Sequence, residues 1–332
     1  MTFTPVQVLI ASNISELKSI DVTKCTEGQI INVLGYDTIN DGGGGLFQYF
    51  KSSAKEDGGI VFTPNSGSGH FRRLYDTLFV RAEWFGAKGN DYTNKKLSDI
   101  PDSTSAIQRA IDYALQNHIQ EVKLGDGIFR ITDTLQLGYG LTFNSISLTG
   151  TGSRYGAVAA FGGTAIFADF NDRPALAIQG ARYSSVKALT LQGRNFDDIQ
   201  QKFSFETDPV KQAEMIMNPS TYVDPSFPKS ADSHCAPYAA IAIDPYSGSR
   251  PSEEAGVYPN VTFPDWIKKQ FPNWFKDENK DKVQYNKSFS SGVLIENVHI
   301  NGFVVGIVNQ PCNADGNGDF TKIHNCVFGY LK

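Results

Sequence analysis

The sequence lacks the features that mark several broad protein classes. Its four cysteines, Cys25, Cys235, Cys312 and Cys326, form no C-x-x-C pair. That spacing excludes a zinc finger and a dense disulfide framework, and the expectation is buried free thiols. The longest early apolar run, Val8 to Ala11, is too short for an export signal or a membrane span. The five histidines, His70, His118, His234, His299 and His324, share no H-x-x-x-H spacing, so neither a metal nor a cofactor is expected. Lys and Arg total 30 against 35 Asp and Glu, a net charge of −5, and the basic stripe of a nucleic-acid binder is missing.

Helical periodicity is scarce as well. One segment carries it: Ile107, Ala110, Ile111, Ala114 and Leu115 recur at helical spacing and share one apolar stripe. Asp102, Ser103 and Thr104 are the N-cap candidates, which predicts a helix over 103–117. After His118 the pattern turns to alternation. A single helix facing a long β run reads as a lid over the open end of a sheet stack.

What is present is repetition. VKALTLQG carries Val186, Leu189 and Leu191; IENVHING carries Ile295, Val298 and Ile300; IHNCVF carries Ile323, Cys326 and Phe328. All three have apolar residues at offsets +3 and +5, and the last two copies start 28 residues apart. That period lies within the range of stacked repeats, in which each coil buries its inward side chains against its neighbours. Ile146, Leu148, Ile166, Leu176, Ile178, Ile241 and Ile243 fit as inward residues of further coils. A β-sandwich would explain short strands but neither the recurring offsets nor the lone helix. The predicted fold is all-β: a right-handed single-stranded parallel β-helix over 81–332, capped by one N-terminal α-helix. Residues 1–80 precede it as a small antiparallel β module, in which Gly42 to Gly45 make a tight hairpin connection. A phosphate-binding loop is excluded there because the Lys and Ser/Thr are missing and strand-like residues follow.

Residues 195–288 break the period. The stretch is rich in proline and carries Trp266 and Trp274, and it reads as one or two excursions interrupted by a coil at YAAIAID. Such excursions would wall a groove on a rigid platform. An acid–base site in such a groove takes a pair of carboxylates or a single positioned base. Asp244, where AIAID opens into a loop, is a catalytic candidate, and its alternative is a turn carboxylate capping backbone N–H groups. Glu253, Glu254 and Arg250 read as solvated loop charges, with Glu254 the second acid candidate and Arg250 a substrate contact if they face the groove. Tyr246, Trp266 and Trp274 can stack on sugars or anchor loops. Asp315 and Asp319 in DGNGDF imitate a calcium loop, but Phe320 and Cys326 replace its required Gly and Glu. They remain as a polar rim, Asp319 as the third acid candidate and Asp315 as a substrate contact.

WFGAKG, DSTSAIQRAIDYA and VKLGDGIFRI, with GYDTINDGGGGLFQYF before them, resemble the entry segment of phage tailspike depolymerases of the pectate-lyase-like β-helix superfamily. CAPYAAIAIDPYSGSRP and QPCNADGNGDF resemble segments of a capsule-degrading group. The loop before the helix departs from the family pattern through the insertion YTNKKLSDIP. The resemblance implies a homotrimer in a phage virion, made in the host cytoplasm. It would attach to the tail or baseplate through its N-terminal module and depolymerise a bacterial surface polysaccharide by hydrolysis or β-elimination, without membrane insertion. A non-catalytic receptor-binding or structural tail protein is the alternative, and a cellular polysaccharide lyase or epimerase another. The chain closes at FGYLK without a polar cap, which predicts further coils or a covered end.

Overall fold

The computed structural model describes residues 8–90, 97–139, 145–153, 162–170, 173–194, 239–244, 264–270, 290–303, 305–309 and 320–329, with positions 210 and 272. The first part is a five-stranded sheet, ordered β1-β2-β3-β5-β4. It comprises β1 (Val8–Ala11), β2 (Ile30–Val33), β3 (Gly45–Phe50), β4 (Val61–Phe62) and β5 (His70–Arg73). Alternation puts Ala11, Ile31, Val33, Phe47, Tyr49, Phe62 and Phe71 on one buried face. Helix α1 (Ile14–Lys18) covers part of it with Ile14 and Leu17. Its start is a reciprocal cap: Asn13 accepts from the Glu16 N–H while Glu16 accepts from the Ser12 N–H. The pairing is antiparallel except between β1 and β2, which run parallel.

The glycine run before β3 is held firmly. Arg73 is buried, and its guanidinium donates to the carbonyls of Gly43 (2.8 Å), Gly44 (2.6 Å) and Gly59 (3.1 Å). It lies between the rings of Phe47 and Trp84, 4.5 and 5.0 Å from their centroids. A Cβ on Gly43 would meet the Glu83 carbonyl and Tyr36 at 2.5 Å, so the approach of Tyr36 and Glu83 requires glycine there. Burial pulls the Arg73 pKa down to about 9, still above neutrality, so a cation stays buried on carbonyl oxygens and ring faces.

The second part is a parallel β-helix. Its first strand, β6 (Val80–Arg81), already pairs with β7, so the antiparallel sheet gives way to the solenoid there. Coil one holds β7 (Glu121–Lys123), β8 (Gly127–Ile131) and β9 (Leu135–Leu137). Coil two holds β10 (Ser147–Thr149), β11 (Thr164–Ala168) and β12 (Leu176–Ile178). In coil three, β13 (Ser185–Gly193) runs through the first two sides and β14 (Ala239–Ile243) forms the third. Coil four has β15 (Leu294–Asn301) and β16 (Val305–Asn309), and coil five β17 (Lys322–His324) and β18 (Val327–Gly329). Every pair between coils is parallel, giving three stacked sheets.

The repeat offsets have a backbone cause. Val186 and Leu189 both point inward, and between them Ala188 takes a left-handed conformation (φ 52°) that turns the chain from the first sheet to the second. Asn297 (φ 54°) and Asn325 (φ 49°) do the same one and two coils later. This extra residue makes the inward spacing three at the bend and two afterwards. Asn suits the conformation, and the Asn325 amide donates to Asn297 at 2.5 Å. The residues expected to point inward, Ile146, Leu148, Ile166, Leu176, Ile178, Ile241 and Ile243, are all in the core. Of the cysteines, Cys25 is buried and Cys326 half-buried, both free; Cys235 and Cys312 lie outside the described residues.

Helix α2 (Thr104–Gln116) closes the first coil with Ala106, Ile107, Ala110, Ile111, Ala114 and Leu115. Of its three cap candidates, one acts as the cap. Asp102, rather than Ser103, accepts from the Thr104 N–H (2.9 Å), because the Ser103 hydroxyl is taken by the Lys88 N–H (3.0 Å). Gln108 acts as a strand substitute for β9: its Oε1 accepts from the Gln136 N–H (2.8 Å) and its Nε2 donates to the Gln136 carbonyl (3.2 Å). One turn on, Asp112 accepts from the Tyr139 hydroxyl (2.5 Å) and from Gln108 (3.1 Å).

Burial pushes the Asp112 carboxyl up to about 6, against the opposing effect of those two hydrogen bonds. Its folded pKa lies above its unfolded value, so its contribution to stability is complete below about pH 4 and is lost as pH rises through about 6. Asp112→Asn keeps the Oδ1 acceptor and cannot ionise. Between pH 5 and 7.5 the wild type should therefore lose on the order of 1–3 kcal/mol relative to the variant. Denaturant unfolding at the two pH values measures this, and parallel pH profiles would show a solvated carboxylate instead.

Candidate functional site

Of the segments expected to carry chemistry, 195–238 leaves between the second and third sheets. Segments 245–289 and 310–319 leave from one edge of the solenoid, where each coil turns from the third sheet back to the first. Asp244 sits there, directly after β14, in a left-handed conformation (φ 48°) and 1% exposed. One carboxylate oxygen accepts from the Gly180 N–H (2.9 Å) and the Ser290 hydroxyl (2.7 Å), the other from the Ser290 N–H (2.8 Å). The Ser290 hydroxyl in turn accepts from the Ala181 N–H (3.1 Å). Gly180 and Ala181 belong to the turn of coil two, and Ser290 ends the turn of coil three, where the chain heads into β15 of coil four. The Asp244 carboxylate is closed to solvent, and both of its oxygens bind donors. It is the capping carboxylate of the alternative reading, enlarged into a staple across two coils.

This staple brings the exit and re-entry of segment 245–289 together. A projecting segment whose ends are held on a rigid base has already met its closure cost in folding. The next coil leaves from the same edge: Asn309 of β16 pairs with Ile243, and Lys322 of β17 with Leu294. Tyr246, Arg250, Glu254 and Trp274 in the first segment, and Asp315 and Asp319 in the second, lie outside the described residues. Their flanking strands occupy adjacent rungs, which sit about 4.8 Å apart.

Two aromatic side chains mark the same edge. Tyr183, in the turn of coil two, has φ 54° and is 78% exposed; it lies over Gly292 of the next coil, where a Cβ would meet its ring at 2.7 Å. The sequence reading passed over it, although an aromatic residue in a turn between two predicted strands was a usable signal. Trp266 lies in the short helix α3 (Asp265–Gln270). It packs edge-on against Tyr139 of coil one, with ring centroids 6.2 Å apart, and is half-buried. Its indole N–H is buried and has no acceptor among the described residues. Tyr139 is the residue hydrogen-bonded to Asp112 of the capping helix, so α3 rests on the lid.

The outer face of the second sheet is a different surface. Ile128, Ala165 and Phe167 are covered there by Ile100, from the insertion ahead of the helix. Arg130 pairs with Asp169 at 2.6 Å. Further along, Gln192 and Asn301 are register partners, both buried, and among the described residues Gln192 Nε2 and Asn301 Oδ1 have no hydrogen-bond partner. Among the described residues no cluster of His, Cys, Asp or Glu has the arrangement of a metal site.

The phage tail protein small four-stranded β-sheet domain matches residues 10–76, the span of the N-terminal sheet. Among solved structures, a tailspike protein of Acinetobacter baumannii bacteriophage Fri1, described as a capsular polysaccharide depolymerase, aligns with a TM-score of 0.54 at 13% identity, over 96% of this chain and 42% of that one. The enzymatically active domain of tailspike protein 2 from bacteriophage CBA120 aligns with a TM-score of 0.52 at 15% identity, over 97% of this chain and 34% of that one. The chain thus spans well under half the length of these proteins. No curated protein matches it. At this identity the likeness establishes the fold alone, a parallel β-helix, which here follows an N-terminal sheet that matches the phage-tail domain model.

The staple makes a prediction that separates its two readings. Asp244→Asn places an amide where the Ser290 N–H or hydroxyl needs an acceptor, and should cost on the order of 2–4 kcal/mol in denaturant unfolding. An unchanged unfolding midpoint would mean that Asp244 is not structural.

Proposed function

We propose that this chain, with its phage-tail sheet and tailspike-type β-helix, binds a bacterial surface polysaccharide along the edge between the third and first sheets and depolymerises it. The observation that carries the reading is the Asp244–Ser290 staple, which fixes the base of segment 245–289 beside the exposed Tyr183 and the half-buried Trp266. An aromatic row on a rigid ladder suits the C–H faces of successive sugars.

Glu254 and Asp319 are the proposed acid pair. Their segments spring from adjacent rungs of one edge, and glycosidases need carboxyls about 5–5.5 Å apart for retention or about 6.5–9.5 Å for inversion. Tyr246, Arg250, Trp274 and Asp315 would hold the polymer, together with Tyr183. The N-terminal sheet would join the chain to the phage tail, and three copies would assemble into the spike of a virion. A receptor-binding role without chemistry is the second reading, since the aromatic edge and its staple serve binding alone equally well.

The test is to incubate the protein with a panel of bacterial capsular polysaccharides and follow polymer size. Shortening by the wild type, lowered about 10²–10⁴-fold by Glu254→Gln or Asp319→Asn, is expected. Saturable binding without shortening would support the receptor-binding reading, and neither binding nor shortening would overturn both.

A further inference from the structure

A cleft of about 770 Å³ opens between the N-terminal sheet domain, the end of the capping helix and α3. Lys55 and Arg72 line it from the sheet domain, Tyr113 and Asn117 from α2, and Trp266 and Lys269 from α3. Its volume is that of a ligand site and exceeds what a single sugar needs.

The charges in it are unequally committed. Glu56 is held by Lys18 at 2.8 Å and accepts from Thr63. The Asp57 carboxylate accepts from the N–H groups of Gly59, Ile60 and Val61 at 2.7–3.0 Å. Among the described residues Lys55, Arg72 and Lys269 are exposed and none has a carboxylate within ion-pair distance, leaving Asp265 as the one opposing charge without such a role. Beside these cations stand two rings: Trp266, and Tyr113, whose hydroxyl is fixed on that of Tyr75 at 3.0 Å.

We propose that this cleft holds an acidic unit of the polysaccharide, a uronate or similarly carboxylated sugar, so that the N-terminal sheet domain forms part of the binding surface. The inference rests on the polysaccharide reading above and names the chemistry of its ligand. The aromatic surface takes a C–H face of the ring, Arg72 offers a two-pronged donor to a carboxylate, and Lys55 and Lys269 add charge. Because α3 lies within segment 245–289 and rests on Tyr139, a polymer in this cleft continues onto the edge carrying Tyr183.

Binding of alginate and hyaluronan oligomers to the full chain tests this, read by tryptophan fluorescence and affinity electrophoresis. The same oligomers with their carboxyls reduced to alcohols, and dextran, serve as neutral counterparts. Acidic oligomers should bind at least tenfold more tightly than the reduced ones, with an affinity that falls as salt rises. The double variant Arg72→Ala, Lys269→Ala should lose about tenfold in affinity at an unchanged melting temperature. Equal affinity for acidic and reduced oligomers, or an unaffected double variant, would overturn the cleft while leaving the polysaccharide reading intact, and failure of every acidic probe to bind would also overturn it. Acidic binding lost in the double variant, with no polymer shortened, would support the cleft and remove depolymerisation alone.

Discussion

A parallel solenoid has an end where inward side chains meet no further coil and strand edges meet no further strand, and the fold depends on how that end is covered. Here α2 does both jobs. Ile107, Ala110, Ile111, Ala114 and Leu115 complete the core beneath Val122, Phe129, Leu135 and Leu137 of coil one. Gln108 then offers β9 a donor and an acceptor in place of a neighbouring strand. Buried backbone groups left unpaired there would each cost about 1–3 kcal/mol. Arg73 extends the closure outward, joining the carbonyls of the glycine run to Trp84 at the solenoid's entry.

The same geometry decides where chemistry can sit. The bend from the first sheet to the second is one left-handed residue, Ala188, Asn297 or Asn325 in successive coils, and β13 and β15 run through it without a loop. In coils three and four an insertion there would split a continuous strand, whereas in coil two residues 150–163 separate β10 from β11. Long segments also leave the solenoid between β13 and β14 and between β14 and β15. Asp244 is the buried device that ties the ends of the second of these to its rung.

Much of this was legible because the solenoid repeats one local rule. The offsets in VKALTLQG, IENVHING and IHNCVF report the left-handed bend directly, and the period of Ile107 to Leu115 reports the lid. What was not legible depends on partners far away in sequence. Asp244 reads as a loop-edge acid until Ser290 and Gly180 are placed on it. Ser103 is a natural cap residue, yet Lys88, from the preceding turn, claims its hydroxyl. Arg73 shows no local sign of burial, because the carbonyls that hold it come from Gly43, Gly44 and Gly59. The glycine run reads only as a tight hairpin connection, whereas its carbonyls are also a cradle for Arg73.

Lid and site are also one mechanical unit. Asp112 and Gln108 lie one turn apart on α2; Gln108 completes the strand edge, and both bond Tyr139, whose ring supports Trp266. The aromatic residue nearest the cleft is thus seated on the helix that closes the core. Loosening the lid would move Trp266 before it unravelled the later coils, whose inward residues pack on one another. Since burial raises the Asp112 pKa, its ionisation opposes the packing of this cluster. Binding at the cap end should therefore respond to pH more strongly than binding along the lower rungs, where the staple rests on Asp244 and Ser290 and not on the lid.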